Sequence, residues 1–225
     1  MKKKAVAILS GGIDSSTLCY KYKSENFEVH ALTIKYGQRH KREVSSAENI
    51  AKALGISHKV LDLSSLKHVL SGSALTDATV KIPEVPEEAE HFDSLKVTIV
   101  PNRNAIFLSA AIGYAQSIGA NNVCFGAHHS DRGVYPDCRK EFVEAFETAE
   151  RLATDNQELK VEAPFIEMDK SEVVKLGSKL GVPFELTWTC YEGKELHCGT
   201  CSACRERKRA FTVSGIKDPT KYTII

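Results

Sequence analysis

No stretch of this 225-residue chain approaches the length of a membrane span, so no spanning segment is expected. The opening MKKKAVAILSGG joins a basic end to an apolar run, but that run, residues 5–9, is too short for the apolar region of a secretion signal. A cytoplasmic protein with no membrane partner is expected. Net charge is nearly absent as well. Thirty basic residues against 29 acidic ones leave +1, and no global field draws in a polyanion such as long DNA or RNA. A nucleic-acid partner is therefore not expected, since it would need a local patch. The chain lacks an internal repeat, and its cysteines do not resemble a disulfide framework spread over a small secreted protein. What it does have is 42% hydrophobic residues, the content of an ordinary globular protein with one main core.

Apolar or β-branched runs near 4–9, 28–36, 58–63, 96–100, 121–126 and 160–163 predict strands, and segments near 15–24, 40–54, 103–118, 140–154 and 170–180 have helical period. Their alternation predicts an α/β fold: a doubly wound, mostly parallel sheet with helices on both faces. In 103–118, Phe107, Ala110, Ala111, Tyr114, Ala115 and Ile118 recur at helical spacing, and Ile106, Leu108 and Ile112 widen the apolar face. This helix is expected to be buried. Phe142, Phe146, Ala149 and Ala153 repeat the pattern in 140–154, while Asp169 with Glu172 reads as a helix start that Gly181 and Pro183 bring to an end. Two regions break the rhythm. Residues 66–94 have no clean period, hold Pro83 and Pro86, and are expected to form a long loop or lid. After Thr187 the chain turns cysteine-rich, so the expected organisation is an α/β domain over 1–186 with a small metal-binding element over 187–225 packed on it.

The first predicted strand stops at Ser10-Gly11-Gly12 and a helix follows at once. In an open parallel sheet the first strand-to-helix turn is the usual place for phosphate. Glycines let the backbone turn tightly and approach a ligand, and the helix behind offers unpaired N–H groups and a positive dipole end. Ser10, Ser15, Ser16 and Thr17 can add hydroxyl donors, whereas Asp14 would repel phosphate but suits Mg²⁺ or the fixing of the loop. The stretch is neither G-x-x-x-x-G-K-[ST] nor G-x-G-x-x-G. A Gly-rich turn capped by Ser is the plainer alternative. S-G-G-x-D-S-S after a first strand resembles the signature of the ATP pyrophosphatases, the PP-loop family, whose members cleave ATP between the α and β phosphates and adenylate an acceptor oxygen. That resemblance implies a nucleotide site over Leu9, Ser10, Gly11, Gly12, Ile13, Asp14, Ser15, Ser16, Thr17, Leu18 and Cys19, with Ser10, the two glycines, Asp14, Ser15 and Ser16 holding the leaving pyrophosphate.

Cys190, Cys198, Cys201 and Cys204 stand as C-x7-C-x2-C-x2-C. A turn at Gly199 would set the last three around one point, and Cys190 can complete a tetrahedron. Four thiolates leave no open position for water, so one structural Zn²⁺ per chain is expected, with an iron–sulfur cluster on the same ligands as its rival. His197 could replace one sulfur, although four cysteines suffice. The adjoining Arg205-Glu206-Arg207-Lys208-Arg209 reads as a solvated helix face, with an RNA contact as the alternative.

The segment GAHHSDRGVYPDCRKEF follows a predicted strand and so emerges on the phosphate side of the sheet. It gathers His128, His129, Asp131, Arg132, Tyr135, Asp137, Cys138 and Arg139, poor packing material and good ligand-binding material. SGGIDSST, YGQRH, VPNRN, GVYPDCR and the W-x-C…HCGTCSAC array, in this order over nearly the whole chain, resemble the 7-cyano-7-deazaguanine synthase family. Asn102 departs from the small residue, Ala or Gly, expected there.

The resemblance implies an ATP-dependent ligase of queuosine biosynthesis acting on 7-carboxy-7-deazaguanine. The carboxylate attacks the α-phosphorus of Mg·ATP, ammonia displaces AMP to leave an amide, and a second ATP activates the amide oxygen, whose loss yields the nitrile. Free ammonium as nitrogen source and a homodimer are also implied. Asp14 and Ser15 at the pyrophosphate, and Arg103 and Lys170 as charge neutralisers, are the catalytic candidates. Asp137, and after it Asp131, can accept the paired N–H donors of a guanine-like ring, with Tyr135 and Arg139 as further substrate-binding candidates. Either carboxylate could instead cap the loop. His40 and His129 are candidates for nucleotide or substrate contact, whereas Cys138 is not needed as a nucleophile because ATP activates both steps. Two other readings stay open: a PP-loop enzyme that thiolates RNA, which needs an exposed reactive cysteine, and a zinc-dependent binding module without turnover.

Overall fold

In the computed structural model, residues 2–39, 41–70, 72–77, 79–82 and 95–223 are described. Side-chain alternation in β1 (Lys4–Ile8) sets a two-sided architecture, because Ala5 and Ala7 enter one core and Val6 the other. β1 is the middle of a five-stranded sheet in the order β3-β2-β1-β4-β5, with β2 (Glu28–Lys35), β3 (Ser57–Asp62), β4 (Asn122–Cys124) and β5 (Lys160–Glu162). Every pairing is parallel, and Ala7 lies between Ala31 and Cys124. Helices α1 (Ile13–Ser24), α2 (Arg42–Leu54), α5 (Lys170–Lys179) and α6 (Ser202–Ser214) supply one face, and α3 (Arg103–Ser117) and α4 (Lys140–Thr154) the other. The doubly wound α/β sheet is therefore the observed fold. Because α1 and α4 leave β1 and β4 toward opposite faces, a crevice opens beyond the carboxyl ends of these two strands.

In α3, Phe107, Leu108, Ala111, Ile112 and Ala115 are buried, as their spacing predicts. The parallel expectation for α4 is corrected: Ala149 and Ala153 are exposed, Leu152 is 75% exposed, and Val143 is its one buried residue. This helix lies beside the short edge strand β5, so Phe142 and Phe146 reach only the margin of the core. The start of α5 is the predicted one, a reciprocal cap in which the Asp169 N–H donates to Glu172 Oε2 at 2.8 Å.

The strand expected at 96–100 is instead a 3-10 turn over Lys96–Thr98. Its β-branched residues suit a strand, but Thr98 Oγ1 donates to the Leu95 carbonyl at 2.6 Å and lies 2.8 Å from the Tyr135 hydroxyl. Local and tertiary hydrogen bonds replace a ladder. The turn delivers the chain to α3 through Asn102 at φ 54, a left-handed conformation that Asn adopts more readily than other residues with a Cβ. Asn thus meets the backbone requirement where a smaller residue is expected.

Within 66–94, Ala74 and Ile82 are buried against Trp188, Cys190 and Cys201, and the Arg39 guanidinium donates to the Asp77 and Val80 carbonyls. Residues 83–94, including Pro83 and Pro86, and His40 lie outside the described residues. At the other end of the chain, Ala210 and Phe211 of α6 share the core of β1 and α1. The basic run is not a solvated face. Arg207 is fully buried, pairs with Asp218 at 3.2 Å, and donates to Thr187 Oγ1 at 2.7 Å and the Phe184 carbonyl at 3.1 Å. Among the described residues no helix is long and apolar enough to cross a membrane.

Candidate active site

A cleft of about 270 Å³ occupies the crevice, lined by Leu9 and Ser10 after β1, Ile34 and Tyr36 from β2 and beyond, and Phe125 to His128 after β4. At one end Ser10 Oγ and Ser15 Oγ lie 3.0 Å apart, and the Ser10 N–H donates to Ser15 Oγ at 3.2 Å. These hydroxyls hold each other and do not cap α1, whose start at Gly12 has no side-chain cap. The open N–H groups and the helix dipole make an anion site there. Gly11 sits behind it at φ +85, its carbonyl accepting the Trp188 N–H at 2.9 Å. A Cβ at that position would stand 2.6 Å from the Glu43 carbonyl oxygen and 2.7 Å from the Ala47 nitrogen. Gly11→Ala is therefore expected to destabilise the protein by at least about 2 kcal/mol, from the positive φ and overpacking together. A denaturant midpoint equal to that of the wild type would refute this.

Lys170, the first residue of α5, reaches Asp14 Oδ2 at 3.2 Å and Glu206 Oε2 at 2.7 Å. His128 Nε2 lies 3.6 Å from Asp131, 3.9 Å from Asp14 and 3.9 Å from Glu206. Burial pushes the Asp14 carboxyl up, but Lys170 and His128 outweigh it and hold that group below the usual carboxylate range. Burial also works against the Lys170 charge, and Asp14, Glu206 and Asp131 more than compensate, so the lysine stays protonated. Asp131 is raised, chiefly by burial, with Glu206 and Asp14 adding repulsion. Asp14 Oδ1 is buried without a hydrogen-bond partner. An acceptor-only oxygen beside an anion site suits a divalent cation carried in on phosphate.

Leu9, Ser10, Gly12, Ile13, Asp14, Ser15, Arg103, Asp131, Tyr135 and Lys170 line the cleft. Ser16, Thr17, Leu18 and Cys19 are buried within α1, away from that lining. Asp137 and Arg139 also lie away from it: Asp137 Oδ2 accepts the Asn104 N–H at 3.0 Å at the start of α3, and Arg139 Nε donates to the Arg132 carbonyl at 3.1 Å. Asp131 Oδ2 accepts the His128 N–H at 3.1 Å yet still faces the cleft. His129 is exposed and pairs with Arg132. Burial pushes the Cys138 thiol up, which keeps it protonated. Sequence reasoning placed His128 in the ligand-binding loop without giving it a role, and Glu206, Glu43 and Tyr191 are among the cleft residues it did not name as candidates. Glu206 had one signal, an acid inside a basic run; Glu43 had only its place in the first turn of a helix.

Cys190, Cys198, Cys201 and Cys204 bring their sulfurs within 4.8 Å of one another, a group that can hold a metal ion. Backbone N–H groups support it, Cys198 donating to Cys190 Sγ at 3.3 Å, and Thr200 and Cys201 to Cys198 Sγ at 3.4 and 3.3 Å. His197 stands outside this set. Its Nε2 accepts the Thr189 N–H at 3.2 Å, its ring lies 4.1 Å from that of Trp188, and burial together with Arg207 holds it down to about 4.

An uncapped first helix at the switch point of a parallel sheet, with a partly buried lysine at its first turn and four clustered thiols toward the carboxyl end of the chain, defines an α/β protein of PP-loop type. A family model described as "Queuosine biosynthesis protein QueC" matches residues 4–215, and the chain belongs to this family. It is 51% identical to a 7-cyano-7-deazaguanine synthase of Archaeoglobus fulgidus over 96% of this chain and 89% of that protein. It is 46% identical to a 7-cyano-7-deazaguanine synthase of Marinobacter nauticus over 99% of this chain and 98% of that protein. The structure of NMN synthetase from Francisella tularensis superposes with a TM-score of 0.54 at 14% identity, covering 96% of this chain and 78% of that one, a likeness of fold.

Proposed function

We propose that this chain converts 7-carboxy-7-deazaguanine and ammonia to 7-cyano-7-deazaguanine with two Mg·ATP, as a carbon–nitrogen ligase of queuosine biosynthesis. The observation that carries the reading is the uncapped start of α1 with Lys170 3.2 Å from Asp14 in its first turn. A substrate carboxylate oxygen attacks the α-phosphorus, and pyrophosphate leaves with the electron pair toward Ser10, Gly12, Ser15 and the open N–H groups. Lys170 offsets the charge that builds there, and Asp14 Oδ1, which has no partner in the fold, would hold the Mg²⁺ of the nucleotide. Asp131 accepts the ring N–H donors, and Arg103 with Tyr135 completes the wall on the acyl side. ATP supplies the activation, so these groups act by position and charge.

The four-cysteine group takes one structural Zn²⁺, since a closed thiolate set suits that ion. A cytoplasmic homodimer using free ammonium and no nucleic acid completes the reading, with the α/β domain over 1–186 and the zinc element over 187–225. RNA thiolation lacks its thiol: Cys19, Cys124 and Cys138 are buried and raised by burial, Cys19 to about 12. Mass spectrometry of the protein with Mg·ATP, ammonium and 7-carboxy-7-deazaguanine should show the nitrile and two AMP per turnover. Persistence of the acid with ATP intact, in folded and zinc-loaded protein, would reject this substrate.

A further inference from the structure

Beside the main cleft lies a pocket of about 10 Å³, room for one water-sized molecule. The two spaces share Tyr36, Gln38, Glu43, Leu75 and Tyr191 as walls. Glu43, in the first turn of α2, brings the pocket its carboxylate. Among the described residues no hydrogen bond and no ion pair within 4.0 Å reaches that carboxylate, although the Arg103 charge acts on it. Gln38 Oε1 is already taken by the Tyr36 N–H at 2.9 Å, and Nη2 of Arg39 by the Asp77 and Val80 carbonyls, while Arg39 Nε is buried without a hydrogen-bond partner. A carboxylate without a hydrogen bond, in a space for one small molecule, favours a compact group with N–H donors.

We propose that this pocket is the ammonium site of the reaction, and that Glu43 takes the proton whose loss turns ammonium into the attacking ammonia. The proposal rests on the ligase reading above. Ammonium has no lone pair and cannot attack. One proton passes to the Glu43 carboxylate, and the freed lone pair forms the C–N bond at the acyl carbon. The C–O bond to phosphate breaks, AMP leaves with that electron pair, and the nitrogen releases a second proton to water to give the amide. Glu43 then returns its proton to solvent. Burial pushes the Glu43 carboxyl up to about 7 although the Arg103 charge pulls it down, so accepting and protonated forms both exist near neutral pH. The charged and titratable groups around it are Arg103 of α3, Tyr36 and Arg39 after β2, and Tyr191 after Cys190.

The test is Glu43→Gln in the zinc-loaded protein, with three readouts: ATP–pyrophosphate exchange without ammonium, amide formation against ammonium, and trapping of the acyl-adenylate by hydroxylamine, which is largely unprotonated at pH 7. Exchange and hydroxamate formation should persist while kcat/KM for ammonium falls by roughly 10²-fold, a loss that shrinks as rising pH supplies free ammonia. Equal loss with ammonium and hydroxylamine, or an unaltered ammonium dependence, would overturn the site alone. No exchange in the wild type would overturn the ligase reading and the site with it. Leu75→Phe, which fills the pocket and leaves the carboxylate in place, should raise the KM for ammonium, and an unmoved KM there would also overturn the site.

Discussion

Lys170→Met is expected to lower turnover by roughly 10²- to 10³-fold, the usual loss when one preorganised group facing developing charge is removed. Lys170 is held for this task from two directions. The reciprocal cap of Asp169 and Glu172 fixes the start of α5, and Asp14 and Glu206 fix the ammonium group at 3.2 and 2.7 Å. Methionine keeps the length of the side chain and removes the charge. Stability should fall too, by less than the roughly 3–5 kcal/mol of a fully buried broken pair, because the Glu206 side chain is 38% exposed. The sign of its pH dependence follows from Asp14. In the wild type its pKa is depressed, so its contribution is present above the unfolded carboxylate range and is lost as pH falls through the folded value. In Lys170→Met burial dominates and the Asp14 pKa rises, so the stability deficit is largest at neutral pH and narrows in acid. Steady-state kinetics with ATP and denaturant midpoints at neutral and acid pH would check both parts. Turnover within a few-fold of the wild type would remove Lys170 from the phosphate end.

Local patterns made much of this site legible. The strand that stops at Ser10-Gly11-Gly12, the Asp169 and Glu172 cap and the closely spaced cysteines are each written within a dozen residues, and each has its expected form. Legibility failed where a distant neighbour decides. The run at 96–100 has strand chemistry, but Thr98 bonds to Tyr135, and the segment turns. Asp137, the first carboxylate proposed for the ring, accepts the Asn104 N–H and lies away from the cleft lining, and no residue pattern marks that pairing. Within the basic run, consecutive helical positions point about 100° apart. Glu206 therefore meets Lys170 while Arg207 turns inward to Asp218, and a tally of charges cannot show which member does which.

The same helix makes Cys204→Ser the second large effect expected: loss of the metal, a fall in Tm of roughly 10 °C and a turnover deficit that added Zn²⁺ does not repair. A serine hydroxyl is not deprotonated at neutral pH and cannot replace a thiolate. Cys201 stands at the N-cap position of α6 and Cys204 lies in its first turn, so a metal held by the sulfur cluster would fix where that helix begins. One turn later Glu206 holds Lys170, Arg207 joins Thr187 and Asp218, and Ala210 and Phe211 enter the core shared with β1. Trp188, buried with the cysteines, donates its backbone N–H to Gly11 in the phosphate turn. Release of a metal held there would thus loosen α6 and the Trp188 strap together, and both end at the proposed pyrophosphate site. Activity should decline in step with metal content when a chelator draws the proposed zinc from the wild type, before the far-ultraviolet signal of the α/β core is lost. A metal-free protein with full turnover and an unshifted Tm would show that α6 is held by its hydrophobic face alone, and that the thiol cluster serves some other end.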